Sequence, residues 1–355
     1  MKKLIEYKLD KDILFCPISL NNSILMHQPS KGGTNIKIEE YIVLKIFSLM
    51  TLNPSRLYIV DFSGIAKLEL ENKNLVDILQ YTNTVLYFER KKYLEICELV
   101  NQEQYMTFED EKGSLVYNSN TEQRLIDYLS VATKNEKDFI KSFHSHIYAD
   151  FFIQEANKYK HKYPMEELKY LESSNVYVNC YINIKAIFSQ PDYMYLVISD
   201  LTELIRNNFP DLTKVCLLGV SNNGIILSRL IGYQLELEAK SINHLGPKYS
   251  LESDKELLFE LKNKKFILVS DVICLGGEYR IAKGILNVLN SRLLGAVSVV
   301  KIKNVYRGGE SGTAGARTKG KEDKICTLLN NINEYTYEGE SLNYTIYIDR
   351  EEKDA

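Results

Sequence analysis

The chain has 355 residues, room for about two domains of roughly 100–200 residues, and either half can bury a core without disulfide support. With 45% apolar and 26% charged residues it reads as globular, not disordered or collagen-like. The net charge of −3, from 44 basic and 47 acidic residues, excludes a general nucleic-acid coat or a polybasic membrane binder and leaves only a local patch. Six cysteines, at 16, 97, 180, 216, 274 and 326, form no CxxC pair, which suits a reducing compartment better than a disulfide framework. The opening MKKLIEYKLDKDILF carries charges where a secretory signal needs an apolar run. No apolar run reaches the roughly 18 residues of a membrane span, so the expected address is the cytoplasm.

The first third reads as a small α/β unit, residues 1–120. Arg56 to Phe62 (RLYIVDF) is a β-rich apolar run ending at the turn signal Ser63-Gly64. Leu75, Ile78 and Leu79 have helical spacing, and Thr84 to Phe88 reads as a second strand, so a parallel pair with a crossover is expected. The VDFSGI run before a helical pattern resembles STAS-type regulatory domains. Residues 101–120 are polar and turn-rich, a hairpin or a linker. From Thr121 to about Tyr159 the pattern is helical, with Leu125, Ile126, Leu129, Phe139, Ile140 and Phe143 on recurring faces. Residues 121–144 are accordingly expected as a helical connector. His144-Ser145-His146 offers two metal ligands if it lies on one strand face, but no metal-spaced partners lie nearby, which favours surface or core histidines. Lys31-Gly32-Gly33-Thr34 lacks the strand and helix of a P-loop.

The second part alternates strand and helix. Val176 to Ile187 alternates like a strand or hairpin, Tyr193 to Asn207 reads as a helix, and Val215 to Val220 as a buried strand. Gly224 to Gln234 follows as a helix, Phe266 to Val269 as a buried strand, Ile281 to Leu289 as a helix and Leu294 to Ile302 as a strand. This pattern predicts a mostly parallel sheet covered on both faces. Tyr306 to Lys321 reads as a Gly- and Lys-bearing loop of about 16 residues, long enough to suggest a lid over an anionic ligand, with a solvated loop as the plainer reading.

Two segments carry the chemistry. In the first, the strand ending at Gly219 leads through a polar turn, Ser221-Asn222-Asn223-Gly224, into a helix, which aims backbone N–H groups at one spot. In the second, a buried strand ends at Ser270-Asp271, and Gly276-Gly277 stands just before a helix. An acid at a strand end suits ribose hydroxyls, and the glycines let backbone approach a phosphate.

Together these segments resemble type I phosphoribosyltransferases, in the apolar strand, Asp271 and the glycine pair of residues 266–279. Upstream, Leu171-Glu172-Ser173-Ser174, Tyr177 and Tyr181-Ile182-Asn183-Ile184-Lys185 look like the opening hairpin of the orotate phosphoribosyltransferase-like branch. Downstream, Leu294 to Lys303 and Asp323 to Leu329 fit its later strands, so the likeness spans about residues 145–335, with 336–355 as a C-terminal strand and tail. The resemblance implies an α/β fold, a phosphoribosyltransferase-like parallel sheet with helices on both faces. It implies Asp271 on the ribose hydroxyls, Gly276 and Gly277 on the 5′-phosphate, and Mg2+ carried with a pyrophosphate ligand. Lys240 to Tyr249 echoes the family's catalytic loop through His244, Gly246 and Lys248, although the basic pair before it is missing and the loop is short. A homodimer is implied too, with the N-terminal domain as output or protein-partner module.

The departures fall at the chemistry. The family's first strand acid is Ser270 here, its paired Thr positions are Cys274 and Leu275, and the Thr after the glycines is Glu278. A carboxylate there repels a phosphate dianion unless a cation intervenes. Leu275 offers no hydroxyl and Cys274 only a weak donor. The expected function is therefore binding of a nucleotide or phosphoribosyl ligand by a degenerate, regulatory site. The alternative is an active orotate-type enzyme transferring phosphoribosyl from phosphoribosyl pyrophosphate to a nucleobase.

Overall fold

The structure is a computed structural model and describes residues 4–21, 36–63, 65–69, 83–89, 105–132, 137–158, 163–171, 176–179, 183–242, 255–274, 276–302, 304–307, 310–313, 324–330, 336–337, 340–341 and 346–347. The chain forms two compact units, Met1–Tyr148 and Ala149–Ala355. The helical pattern at 75–79 and the glycines at 32–33 lie outside the described residues.

The first unit contains β1 (Tyr7–Asp10), β2 (Ile13–Pro17), β3 (Ile36–Glu39), α1 (Glu40–Met50), β4 (Leu57–Asp61), β5 (Ile65–Glu69), β6 (Thr84–Glu89), β7 (Tyr105–Glu109), β8 (Gly113–Asn118), α2 (Glu122–Ala132) and the start of α3 (Phe139–Lys158). Six strands form a mixed sheet in the order β1-β2-β4-β6-β8-β7, and β3 pairs with β5 apart from it. The expected parallel pair is β4 with β6, from Tyr58↔Thr84 to Asp61↔Tyr87. Residues 101–120 supply a hairpin, β7 with β8. On one face Leu14, Cys16, Tyr58, Val60, Leu86 and Phe88 pack with the apolar stripe Ile42, Val43, Ile46, Phe47 and Met50 of α1.

The helical stretch from Thr121 resolves into two helices, α2 and α3. His144 and His146 sit on α3, not on a strand, and helical residues two apart do not share a face. Each ring packs edge-on against an aromatic, His144 on Phe15 at 5.4 Å and His146 on Tyr128 at 6.0 Å. The paired-ligand arrangement on a strand face is thereby overturned.

The second unit holds β9 (Lys169–Leu171), β10 (Val176–Val178), α4 (Ile184–Ser189), α5 (Pro191–Asn208), β11 (Val215–Val220), α6 (Ser221–Leu235), β12 (Ala239–Ile242), α7 (Lys255–Leu261), β13 (Lys265–Ile273), α8 (Gly277–Val288), β14 (Arg292–Lys301), β15 (Asn304–Arg307), β16 (Glu310–Thr313), β17 (Ile325–Asn330) and the short strands β18 (Thr336–Tyr337), β19 (Glu340–Ser341) and β20 (Ile346–Tyr347). Residues 184–189 are helix where a strand or hairpin was expected, because Ile184 and Ile187, one turn apart, both bury. Gln190 is then extended, as a residue before proline must be, and Pro191 opens α5 at its first position. Asp192 in the first turn of α5 and Arg206 in the last complement the helix dipole. Part of the expected loop at 306–321 is the hairpin of β15 and β16; residues 314–323 lie outside the described residues.

The main sheet runs β12-β11-β13-β14-β17, and every neighbouring pair is parallel. All six residues of β11 are buried, as a strand covered on both faces requires. One face presents Cys216, Leu218, Phe266 and Leu268 to Leu261 of α7 and to Tyr279, Ala282, Ile285 and Leu286 of α8. On the other, α6 lies so close that a Cβ on Gly219 would stand 2.3 Å from Ser228 Oγ and 2.6 Å from the Gly224 carbonyl oxygen. The second unit is therefore α/β, with helices on both faces of a parallel sheet, and the first is a smaller α/β unit.

Gly219→Ala should destabilise the chain by about 1–3 kcal/mol through this overpacking. Gly284→Ala, at an exposed site in α8 where an added Cβ meets nothing within 4 Å, should instead leave stability unchanged or raise it. Urea denaturation of the two variants checks the contrast.

Candidate functional site at the carboxyl edge of the parallel sheet

The strand order reverses between β11 and β13: the connection from β11 leads outward to β12, and that from β13 leads the opposite way to β14. In open α/β sheets the crevice at the carboxyl ends of two such strands is where ligands bind. Both candidate segments end there.

On the β11 side, Ser221 to Gly224 are the first turn of α6, not a turn ahead of it. The chain passes from strand to helix in one residue because Ser221 takes a left-handed backbone, φ 63°. Gly224 then sits directly on β13: a Cβ there would be 2.7 Å from the Val269 carbonyl oxygen. On the other side, β13 does not stop at Asp271 but continues to Ile273, because β14 keeps pairing with it, Val272↔Val300 and Ile273↔Lys301. Its pairing with β11 ends earlier, at Gly219↔Val269, so the last residues of β13 face the first turn of α6.

That offset brings two candidates together across 48 residues of sequence. The Asn223 side-chain amide donates to Asp271 Oδ2 at 2.7 Å. Asp271 Oδ1 accepts from the Val272 backbone N–H at 2.8 Å. The carboxylate is thus held from both oxygens and keeps spare lone pairs for ligand hydroxyls. Ser270 is 2% exposed, and its hydroxyl donates to the Val272 carbonyl oxygen at 3.3 Å, so it is bound into the strand. Cys274 is partly buried, and Asn222 is exposed. Gly276 has φ 71° and precedes α8, whose first turn, starting with Gly277, receives no side-chain cap. The N–H groups of a helix's first turn point out along its axis, the general geometry of an anion site.

Glu278, in that first turn, is mostly buried. Burial, and secondarily the nearby Asp271 carboxylate, push its pKa up to about 7. Asn223, Asp271 and Glu278 are the side chains that the structure ties together. Leu275, His244, Gly246 and Lys248 lie outside the described residues. Sequence reading supplied Asn223 and Asp271 separately but not their pairing, for which the only hint was that each stands at the carboxyl end of a buried strand. Among the described residues no group of three or more His, Cys, Asp and Glu side chains gathers to hold a metal ion, and no helix is long and apolar enough to cross a membrane.

Compared by sequence, the chain matches no protein-family model and no curated protein. Compared by structure, it is similar to adenine phosphoribosyltransferase from Saccharomyces cerevisiae, at 17% identity over 51% of this chain and 99% of that one, with a TM-score of 0.33. It is also similar to adenine phosphoribosyltransferase from Rhodothermus marinus, at 12% identity over 42% and 86% of the two chains, TM-score 0.32. Orotate phosphoribosyltransferase from Aeropyrum pernix gives 14% identity over 38% and 73%, TM-score 0.29. At these identities and scores the likeness settles nothing about activity, which has to be read from the chain's own residues.

A carboxyl whose folded pKa is raised keeps its proton in the folded state while the unfolded chain has already lost it. Glu278 should therefore make stability fall as pH rises from about 4.5 to about 7, with no further change above. Relative to wild type, Glu278→Gln should gain on the order of 1–3 kcal/mol between about pH 5 and pH 8. Paired denaturation curves at the two pH values measure that difference.

Proposed function

We propose that the second unit is a phosphoribosyltransferase-like binding module that holds a ribosyl ligand, a nucleotide or phosphoribosyl compound, and acts as a sensor without turning over phosphoribosyl pyrophosphate. The observation that carries this reading is Asp271, clamped by Asn223 at the switch point beside the uncapped start of α8. A carboxylate fixed by two donors is a ready acceptor for vicinal ribose hydroxyls. The N–H groups after Gly276 face a neighbouring anionic group, and backbone donors survive the side-chain departures seen in this loop.

The sensor reading is supported by what surrounds that clamp. Ser270 stands where a second strand acid would be and is spent inside the strand. Glu278 adds negative charge where a transferase would gather hydroxyl donors. An active transferase would need charge stabilisation on the departing pyrophosphate. Asp271 and Glu278 are the residues that would hold a Mg2+ ion arriving with that pyrophosphate, since Mg2+ typically takes one or two carboxylates beside ligand oxygens.

Calorimetry with nucleoside monophosphates, cyclic nucleotides and phosphoribosyl pyrophosphate plus Mg2+ tests the reading. A ribosyl ligand should bind, and Asp271→Ala should weaken it at least about tenfold. Tight binding and turnover of phosphoribosyl pyrophosphate would establish the transferase instead. Silence toward every ligand would remove both.

A further inference from the structure

We propose that the free edge of β7 is a self-association surface whose partner is β7 of a second copy of this chain, paired antiparallel about a two-fold axis at Thr107. The surface lies wholly in the first unit and is independent of the ribosyl reading.

The six-stranded sheet of the first unit ends in β1 on one side and β7 on the other, and the two edges are built differently. At the first, β1 carries the exposed Lys8, and its register shifts between Lys8 and Asp10. A lysine and a bulge are common ways of blunting an edge strand against further pairing. At the second, β7 pairs with β8 in unbroken register from Tyr105↔Asn118 to Glu109↔Ser114, with no lysine and no proline. Met106 and Phe108 stay 38% and 41% exposed, and Thr107 and Glu109 are exposed too. Among the described residues no strand pairs with the outer side of β7. The strand is nevertheless held from both faces. Tyr105 packs against the core that α1 covers, and on the opposite face the Phe108 ring lies 5.2 Å from that of Phe139. A partner strand therefore meets an edge already in position, at little ordering cost.

Backbone hydrogen bonding selects the register. The Asp110 N–H donates to the Gly113 carbonyl oxygen at 2.9 Å, which makes that pair a bonded one. Bonded and non-bonded pairs alternate along an antiparallel ladder, so Phe108 and Met106 direct their backbone groups to β8, while Tyr105, Thr107 and Glu109 point theirs outward. Centred on Thr107, two copies pair every outward residue: Thr107 with the partner's Thr107, and Tyr105 with the partner's Glu109. Met106 then stands opposite the partner's Phe108, an apolar pair in a non-bonded position, where side chains come closest. No like charges oppose, since Glu109 meets a tyrosine. A shift of two residues either way leaves an outward residue without a partner inside the strand and separates Met106 from Phe108. A shift of one residue turns the apolar pair to opposite faces. Five residues a side make a small contact, below the roughly 1,200 Å² at which standard interfaces begin, which fits a weak, reversible dimer.

The test is analytical ultracentrifugation of the full chain over about 5 to 500 μM, with urea midpoints checking that each variant folds. The wild-type mass should rise toward twice its low-concentration value. Thr107→Pro removes an N–H that faces away from β8, so the β7–β8 ladder survives, and it should weaken association at least about tenfold. Thr107→Lys sets two ammonium groups face to face and should weaken it as well, most strongly at low salt. Oxidation with diamide reads the register. Thr107→Cys should give a disulfide-linked dimer well above the background of the native cysteines, because bonded antiparallel partners lie about 5.5 Å apart at Cα. Met106→Cys, opposite a phenylalanine, should not. A wild-type mass that stays constant across the series overturns the proposal and leaves the edge to an extended segment of some other protein. Association unchanged by both Thr107→Pro and Thr107→Lys overturns it too, as does cross-linking through Met106→Cys in place of Thr107→Cys.

Discussion

The carboxyl edge of the second unit depends on one backbone contact, the first turn of α6 lying directly on the end of β13. Gly219 and Gly224 make it possible, because a Cβ at either would meet backbone atoms of the neighbouring elements at 2.7 Å or less. Ser221 completes the approach by turning the chain within a single left-handed residue. From this contact follow the reach of Asn223 to Asp271, the fixed direction of that carboxylate, and the crevice at the point where the strand order reverses.

The same sheet shows how surroundings assign opposite roles to one residue type. At its amino edge Glu238 meets Lys240 and Lys264, each at 2.8 Å, and also accepts from the Cys216 thiol at 3.2 Å. Those partners, the two lysines foremost, hold its pKa down to about 2. At the carboxyl edge Glu278 has burial and another carboxylate for company and is pushed up to about 7. The first is a charge tied into a network, the second a group whose proton is exchangeable near neutrality. Charge at one edge is held by ion pairs; at the other, burial opposes it.

Much of the parallel sheet was legible in the sequence because its strands are short apolar runs separated by helices of regular period. Val215 to Val220 and Leu294 to Ile302 needed little correction. The misreadings share a cause, in that local pattern does not register what pairs across space. β13 runs past Asp271 because β14 continues to pair with it, which no feature of VSDVI announces. Ser221 to Gly224 looks like a polar turn because Ser, Asn and Gly favour turns, yet the close approach of α6 draws them into the helix. At 184–189 alternation and helical spacing coexist in NIKAI, and burial of Ile184 with Ile187 decided for helix. Within the site, residue types were readable. The Asn223 to Asp271 pairing was not, since it spans two crossover units.

Gly276 has a consequence of a different kind. It adopts φ 71°, yet a Cβ added there would meet nothing within 4 Å, and the same open space surrounds Gly277. The restraint at the start of α8 is thus torsional, whereas on the α6 side it is one of packing. One wall of the crevice is locked to the sheet and cannot vary without disturbing the core. The other, at Gly276 and Gly277, is set by backbone torsion, while the rest of α8 packs into the core. A side chain at Gly277 therefore meets far less than one at Gly219 or Gly224 would, so the two walls answer differently to the same kind of substitution.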